Sequence, residues 1–214
     1  MTKPIGILGG TFDPVHHGHL RMAIECRERI DLEEVRLIPL HAPPHRQHPV
    51  ALPEQRLAML EIALRDLHGL IVDDCELRRN TVSYTIDTVS SLRQTAGTTP
   101  VCLLMGTDAF YTLHTWRRWQ ELLDFVHIVI AQRPGNRIKP EAAELSRILD
   151  KHSTSDISVL HKTPAGRIFE IHMPLLDISA TQIRDIFSEK RNPSFLLPEG
   201  VIDYINSNHI YQTG

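Results

Sequence analysis

Between Gly9 and His19 the chain reads Gly-Gly-Thr-Phe-Asp-Pro-Val-His-His-Gly-His, residue types suited to holding phosphate. Gly9 and Gly10 close an apolar run, and without a Cβ their N–H groups can approach a ligand closely. Pro14 keeps Asp13 out of the α region and so holds the turn extended. Gly18 permits close approach where a helix begins, and a helix start offers unpaired N–H groups and partial positive charge. His16 and His19 fall near one face of a helical turn. Two imidazoles so placed can donate to a polyphosphate. The same spacing can bind a metal, although no third ligand is evident. A second segment, Ile178-Ser-Ala-Thr-Gln-Ile-Arg184, opens another expected helix. Ser179 is a natural N-cap there, and Thr181 and Arg184 follow within the first turns. Together they form either a polyphosphate site or an ordinary cap with a surface Arg.

These residues need elements to position them. Val35–Leu40, Val101–Met105, Val126–Ala131 and Ile168–Ile171 read as strands, as do Ile5–Leu8 and Ile71–Cys75. Helices are expected over Gly18–Ile30, Pro53–Leu67, Ser83–Leu92, Trp116–Leu123, Pro140–Leu149, Ser179–Phe187 and Glu199–Ser207. Pro53 suits the first helical position, where a missing N–H costs nothing. Leu57, Leu60, Ile62 and Leu64 supply the apolar side of that helix. Alternation of strands and helices predicts an α/β fold, a Rossmann-like doubly wound parallel sheet with helices on both faces. Ligands of such sheets sit at the carboxyl ends of strands, near the switch point. Gly9–His19, His41–Arg46 and Gly106–Asp108 each follow an expected strand and so could share one edge. His41–Pro53 reads as a Pro-rich exposed loop and Lys151–Gly166 as polar and irregular.

Composition narrows the function. At 214 residues the chain suits a single domain, 1–214. A net charge of −3 lacks the basic field of a nucleic-acid binder. No CxxC pair occurs among Cys26, Cys75 and Cys102, so neither a zinc knuckle nor a disulfide framework is indicated. With no signal-peptide core and no apolar run of membrane-spanning length, a soluble cytoplasmic protein is expected. The GxGxxG dinucleotide fingerprint is absent.

The run Gly10-Thr-Phe-Asp-Pro-Val-His-His-Gly-His19 resembles the GxFxPxHxGH signature of the adenylyl- and cytidylyltransferase superfamily. The resemblance implies an ATP triphosphate cradled by the backbone of Gly9, Gly10, Thr11, Phe12 and Gly18 and by His16 and His19. Ile178–Arg184 resembles the superfamily's ISSTxxR motif, which implies contacts from Ser179, Thr181 and Arg184 to the β- and γ-phosphates. It departs from that motif at Ala180, where a second Ser is typical. Ser83-Tyr-Thr-Ile-Asp-Thr88, Met105-Gly-Thr-Asp108 and Thr115-Trp-Arg-Arg-Trp119 are similar to segments of bacterial nicotinate-mononucleotide adenylyltransferases. So are Pro43-Pro-His-Arg46 and Arg133-Pro-Gly135, which adds Arg133 to the ATP side. Nearly the whole chain is covered. The resemblance implies that Trp116 stacks on the pyridine ring and that Asp108, after Gly106, binds ribose hydroxyls. His45 and Arg46 would approach phosphate. N–H groups at Tyr84 and Thr85 would favour the nicotinate carboxylate.

The expected reaction is in-line attack of nicotinate mononucleotide on the α-phosphate of ATP. The acceptor phosphate is already anionic, so no Ser-His-Asp or Cys-His arrangement is required. His19 with His16 would meet the α-phosphate and Arg184 the leaving pyrophosphate. Mg²⁺ would accompany ATP, liganded mostly by phosphate and water. The alternatives are nicotinamide mononucleotide or phosphopantetheine as acceptor, or a nucleotide-binding regulator without catalysis.

Overall fold

The computed structural model describes residues 2–43, 48–135, 138–174 and 176–212. Its strands are β1 (Ile5–Gly10), β2 (Glu34–Pro39), β3 (Leu70–Val72), β4 (Val101–Gly106), β5 (His127–Gln132), β6 (Ser153–Thr154) and β7 (Ile168–His172). They form one seven-stranded sheet of order β3-β2-β1-β4-β5-β7-β6. Every pairing is parallel. All six residues of β5 are buried, as expected of a parallel strand covered on both faces.

The helices are α1 (His17–Ile30), α2 (Pro53–Leu64), α3 (Cys75–Arg79), α4 (Thr85–Ala96), α5 (Thr107–Tyr111), α6 (Leu122–Phe125), α7 (Ala143–His152), α8 (Val159–Lys162), α9 (Ala180–Ser188) and α10 (Glu199–Ser207). Side chains alternate across the sheet, so two cores form. Leu8, Leu37 and Leu104 pack with α1, α2, α8, α9 and α10. Ile7, Ile38 and Leu103 pack with α4, α5, α6 and α7. This is the doubly wound arrangement expected from the sequence.

From β1 the chain first winds outward through β2 to β3, then crosses back to β4 on the other side of β1. The connections leaving the carboxyl ends of β1 and β4 therefore diverge, which opens a crevice between them.

Several elements differ from expectation. Residues 71–75 are not one strand: β3 stops at Val72, and the Asp73 carboxylate accepts from the Cys75 N–H (3.0 Å), turning the chain into α3. The apolar stripe of α2 is Met59, Leu60, Ala63 and Leu64, with Arg56 buried at its head. Residues 151–166 contain β6 and α8. Trp116–Leu123 is not a continuous helix. Trp116 is extended (φ −78°, ψ 147°), Arg118 is left-handed (φ 51°), and a 3₁₀ turn at Trp119–Glu121 leads into α6. The three-residue spacing of the tryptophans fits a helix, but the turns fold it differently.

Candidate active site

A cavity of about 510 Å³ opens at the carboxyl ends of β1 and β4. Leu8, Met22 and Leu104 line it from one side of the sheet and Ile38, Leu103 and Met105 from the other. Gly9 and Gly106 stand at its mouth. Among the described residues a Cβ on either would meet nothing within 4 Å, so both leave backbone open to a ligand.

On the β1 side, His16 is the N-cap of α1, with extended backbone (φ −147°, ψ 169°). Its N–H donates to His19 Nδ1 (3.4 Å), which assigns Nδ1 as acceptor and leaves Nε2–H as the ring donor of His19. The two imidazoles stack with centroids 3.7 Å apart. A Cβ on Gly18 would lie 3.0 Å from the His16 ring, so glycine lets that ring fold over the helix start. Burial, helped by His17, lowers His16 to about 4. Loss of hydration, with His16 beside it, pushes His19 well below the ordinary imidazole range. Both rings are therefore neutral near pH 7. Nδ1 of His16 is buried without a partner among the described residues.

Phe12 does not offer its side chain to the cavity. It is 1% exposed and braces the His19 ring edge-on at 5.0 Å, so any phosphate contact falls to its backbone. Thr11 and His19 do line the cavity.

Arg184 joins the segments Gly9–His19 and Ile178–Arg184 across 171 positions. Its guanidinium donates to the Asp13 carbonyl (2.7 Å) and to the Thr181 hydroxyl (3.2 Å), with Asp13 Oδ2 at 3.7 Å. Ser179 caps α9 by accepting from the Gln182 N–H (3.1 Å).

Sequence reasoning assigned no role to the side chain of Asp13, nor to Arg56 or Tyr211. The Asp13 carboxylate accepts from the Val50 N–H (2.8 Å), the Ala51 N–H (3.0 Å) and the Tyr211 hydroxyl (2.8 Å). Burial and the adjacent Asp13 raise the Tyr211 hydroxyl far above its ordinary value, so it stays a donor. Arg56 is fully buried and donates to the carbonyls of Thr11 (2.8 Å), Leu40 (2.8 Å), His41 (3.3 Å) and Ala51 (3.3 Å). Both ends of the segment 40–51 are thereby fastened to the turn after β1.

On the β4 side, Tyr84 is the N-cap of α4, and Thr85 begins it. The first N–H groups of the helix have no intrahelical acceptor. Ser83, Tyr84, Thr85 and Trp116 line the cavity. The guanidinium carbon of Arg117 stands 4.5 Å from the Tyr84 ring centroid. Glu76, 8% exposed, lies in the wall and accepts from the Thr88 hydroxyl (2.5 Å), which in turn accepts from Arg79 (3.2 Å).

Residues 7–186 match the cytidylyltransferase-like family model. The chain is 45% identical to a probable nicotinate-nucleotide adenylyltransferase of Aeromonas salmonicida, covering 99% of each. The chain belongs to the nicotinate-nucleotide adenylyltransferase family. A relative of the same description from Methylococcus capsulatus is also 45% identical, over 97% of this chain and 99% of that one. The fold matches the structure of the Plasmodium falciparum nicotinic acid mononucleotide adenylyltransferase complexed with NaAD, at TM-score 0.73. Identity is 18%, and the match covers 98% of this chain and 97% of that one.

Of the residues that the resemblance marks, Gly9, Gly10, Thr11, His19, Tyr84, Thr85, Gly106 and Trp116 line the cavity, while His16, Gly18, Ser179, Thr181 and Arg184 are not in its lining. Asp108 is exposed in the first turn of α5 and is not in the cavity lining. Arg133 is exposed just after β5 and pairs with Asp177 (3.2 Å). His45 and Arg46 lie outside the described residues. Among the described residues no group of three or more His, Cys, Asp or Glu side chains is arranged to hold a metal ion.

Proposed function

We propose that this chain transfers the adenylyl group of ATP to nicotinate mononucleotide, giving nicotinate adenine dinucleotide and pyrophosphate. The observation that carries the assignment is that one cavity joins two different half-sites. Gly9–Thr11 and His19 form one and Tyr84, Thr85, Gly106 and Trp116 the other. The full-length kinship to nicotinate-nucleotide adenylyltransferases supports the same acceptor.

The acceptor's phosphate oxygen attacks the α-phosphorus of ATP in line. The bond from that phosphorus to the oxygen bridging it to the β-phosphate breaks, and pyrophosphate departs with the bonding pair. The nucleophile is anionic, so the chain supplies positioning and charge stabilisation rather than a base. The Nε2–H of His19 donates to the α-phosphate as charge shifts in the transition state, with His16 holding the ring. Gly9, Gly10, Thr11 and Gly18 offer backbone N–H groups. Ser179, Thr181 and Arg184 receive the β- and γ-phosphates, and Arg133 adds charge from the end of β5. Trp116 stacks on the pyridine ring. Thr85 and Tyr84 face the carboxylate through the start of α4. Asp108, on the rim, takes the ribose hydroxyls. Mg²⁺ would enter with ATP, liganded mostly by phosphate and water, and would offset phosphate charge there. Cys26, Cys75 and Cys102 are all free thiols, which supports a reducing, cytoplasmic setting.

Steady-state assays with ATP and each acceptor in turn test this. Nicotinate mononucleotide should give the highest kcat/KM. Equal values for the nicotinamide nucleotide would overturn the acceptor, and no pyrophosphate from any acceptor would overturn transfer.

A further inference from the structure

The acceptor half of the cavity carries a cation with no role so far. Two arginines stand side by side after Trp116, and they are used differently. Arg118 pairs with Glu121 (2.6 Å) on the surface. Arg117 lies over the Tyr84 ring and lines the cavity beside Trp116 and Thr85. It belongs to none of the ion pairs among the described residues. A guanidinium held over an aromatic ring by cation–π attraction keeps N–H donors for a ligand, and the ring limits its wandering.

The charge balance of that wall makes the placement consequential. Glu76 brings a carboxylate into the same cavity. Among the described residues only the Thr88 hydroxyl donates directly to it, with Arg79 behind that hydroxyl. Such a wall favours a neutral carboxamide, whose NH₂ can donate, over a second carboxylate. N–H groups at the start of α4 carry only partial charge against this. A full positive charge near the pyridine substituent reverses the preference.

We infer that the Arg117 side chain is a specificity-determining group: it selects a pyridine carboxylate over the neutral carboxamide and offsets Glu76. The inference rests on the acceptor assigned above. It concerns only the difference between two acceptors that share ribose, phosphate and ring.

The test measures the ratio of kcat/KM for nicotinate mononucleotide over nicotinamide mononucleotide in the full chain and in Arg117→Gln, Arg117→Lys and Arg117→Glu. The ratio should fall about tenfold in Arg117→Gln and further in Arg117→Glu, with the loss falling on the nicotinate nucleotide. Arg117→Lys keeps the charge without the planar guanidinium and should lie between. In the unsubstituted chain the ratio should shrink as salt is raised, because an exposed charge is screened, while Arg117→Gln should be nearly insensitive. A ratio within about twofold of the original in both Gln and Glu variants overturns the inference alone. No dinucleotide from either acceptor with the unsubstituted chain overturns the acceptor assignment and this inference together. Should Arg117→Glu fail to fold, the Gln and Lys variants decide by the same ratio.

Discussion

The role proposed for His16 and His19 depends on where their protons are held. The backbone N–H of His16 occupies Nδ1 of His19, and removal from water keeps both rings neutral. What His19 presents to the cavity is thus a single aimed donor. Replacing it, His19→Ala, should lower kcat by about 10² with the fold retained, the scale of losing one transition-state donor. Near-normal turnover with unchanged circular dichroism would remove His19 from the mechanism. The histidines could be found from sequence because their spacing and glycine neighbours are local. Asp13 was visible only as a turn residue before Pro14. Its partners Tyr211, Val50 and Arg184 are distant in sequence, and no local pattern encodes them. Arg56 was hidden for a different reason. A charged residue in an amphipathic helix is ordinarily solvated, yet here the guanidinium is buried and satisfied by carbonyls.

Among the elements, α9 shows how a cap serves a site. Ser179 fixes where the helix starts, and that start sets the reach of Thr181 and Arg184. Ser179→Ala should cost about 1 kcal/mol of stability. That lowers Tm by about 2–4 °C in a chain of this size. It should also raise KM for ATP while leaving KM for the acceptor nearly level, and steady-state kinetics with each substrate varied would read this. A rise in both would mean a general loosening. Every strand but β6 was legible because buried parallel strands are continuous apolar runs, whereas Ser153–Thr154 is short and polar. Trp116–Leu123 was misread because two tryptophans at helical spacing satisfy the pattern, while the left-handed Arg118 redirects the backbone. Local rules failed at the segment that carries Trp116 and Arg117 into the cavity, as they do where function shapes the chain.

Across the whole molecule, alternation of strands and helices made the doubly wound class legible. The order that places β7 between β5 and β6 was not, since pairing depends on contacts far apart in sequence. Among the described residues no helix is long and apolar enough to cross a membrane. Global stability should carry the signature of the buried histidines. His16 falls to about 4 from 6.5, and burial also lowers His127, whose ring bridges Thr163 and Arg167. Below pH 6.5 the unfolded chain binds protons that the folded chain refuses. Stability is therefore full above 6.5 and declines toward pH 4, with His16 alone contributing roughly 3 kcal/mol across that window. Urea midpoints at pH 7, 6 and 5 should fall in that order; a level series would contradict the burial of these rings. The bond from Tyr211 to Asp13 spans 198 positions, and through Asp13 it bears on Arg184. A contact of such separation carries a large loop-closure cost and is expected to close after the nearer strands have paired. Catalytic competence is then the last property a refolding chain acquires, and turnover reports a finished fold rather than a formed sheet.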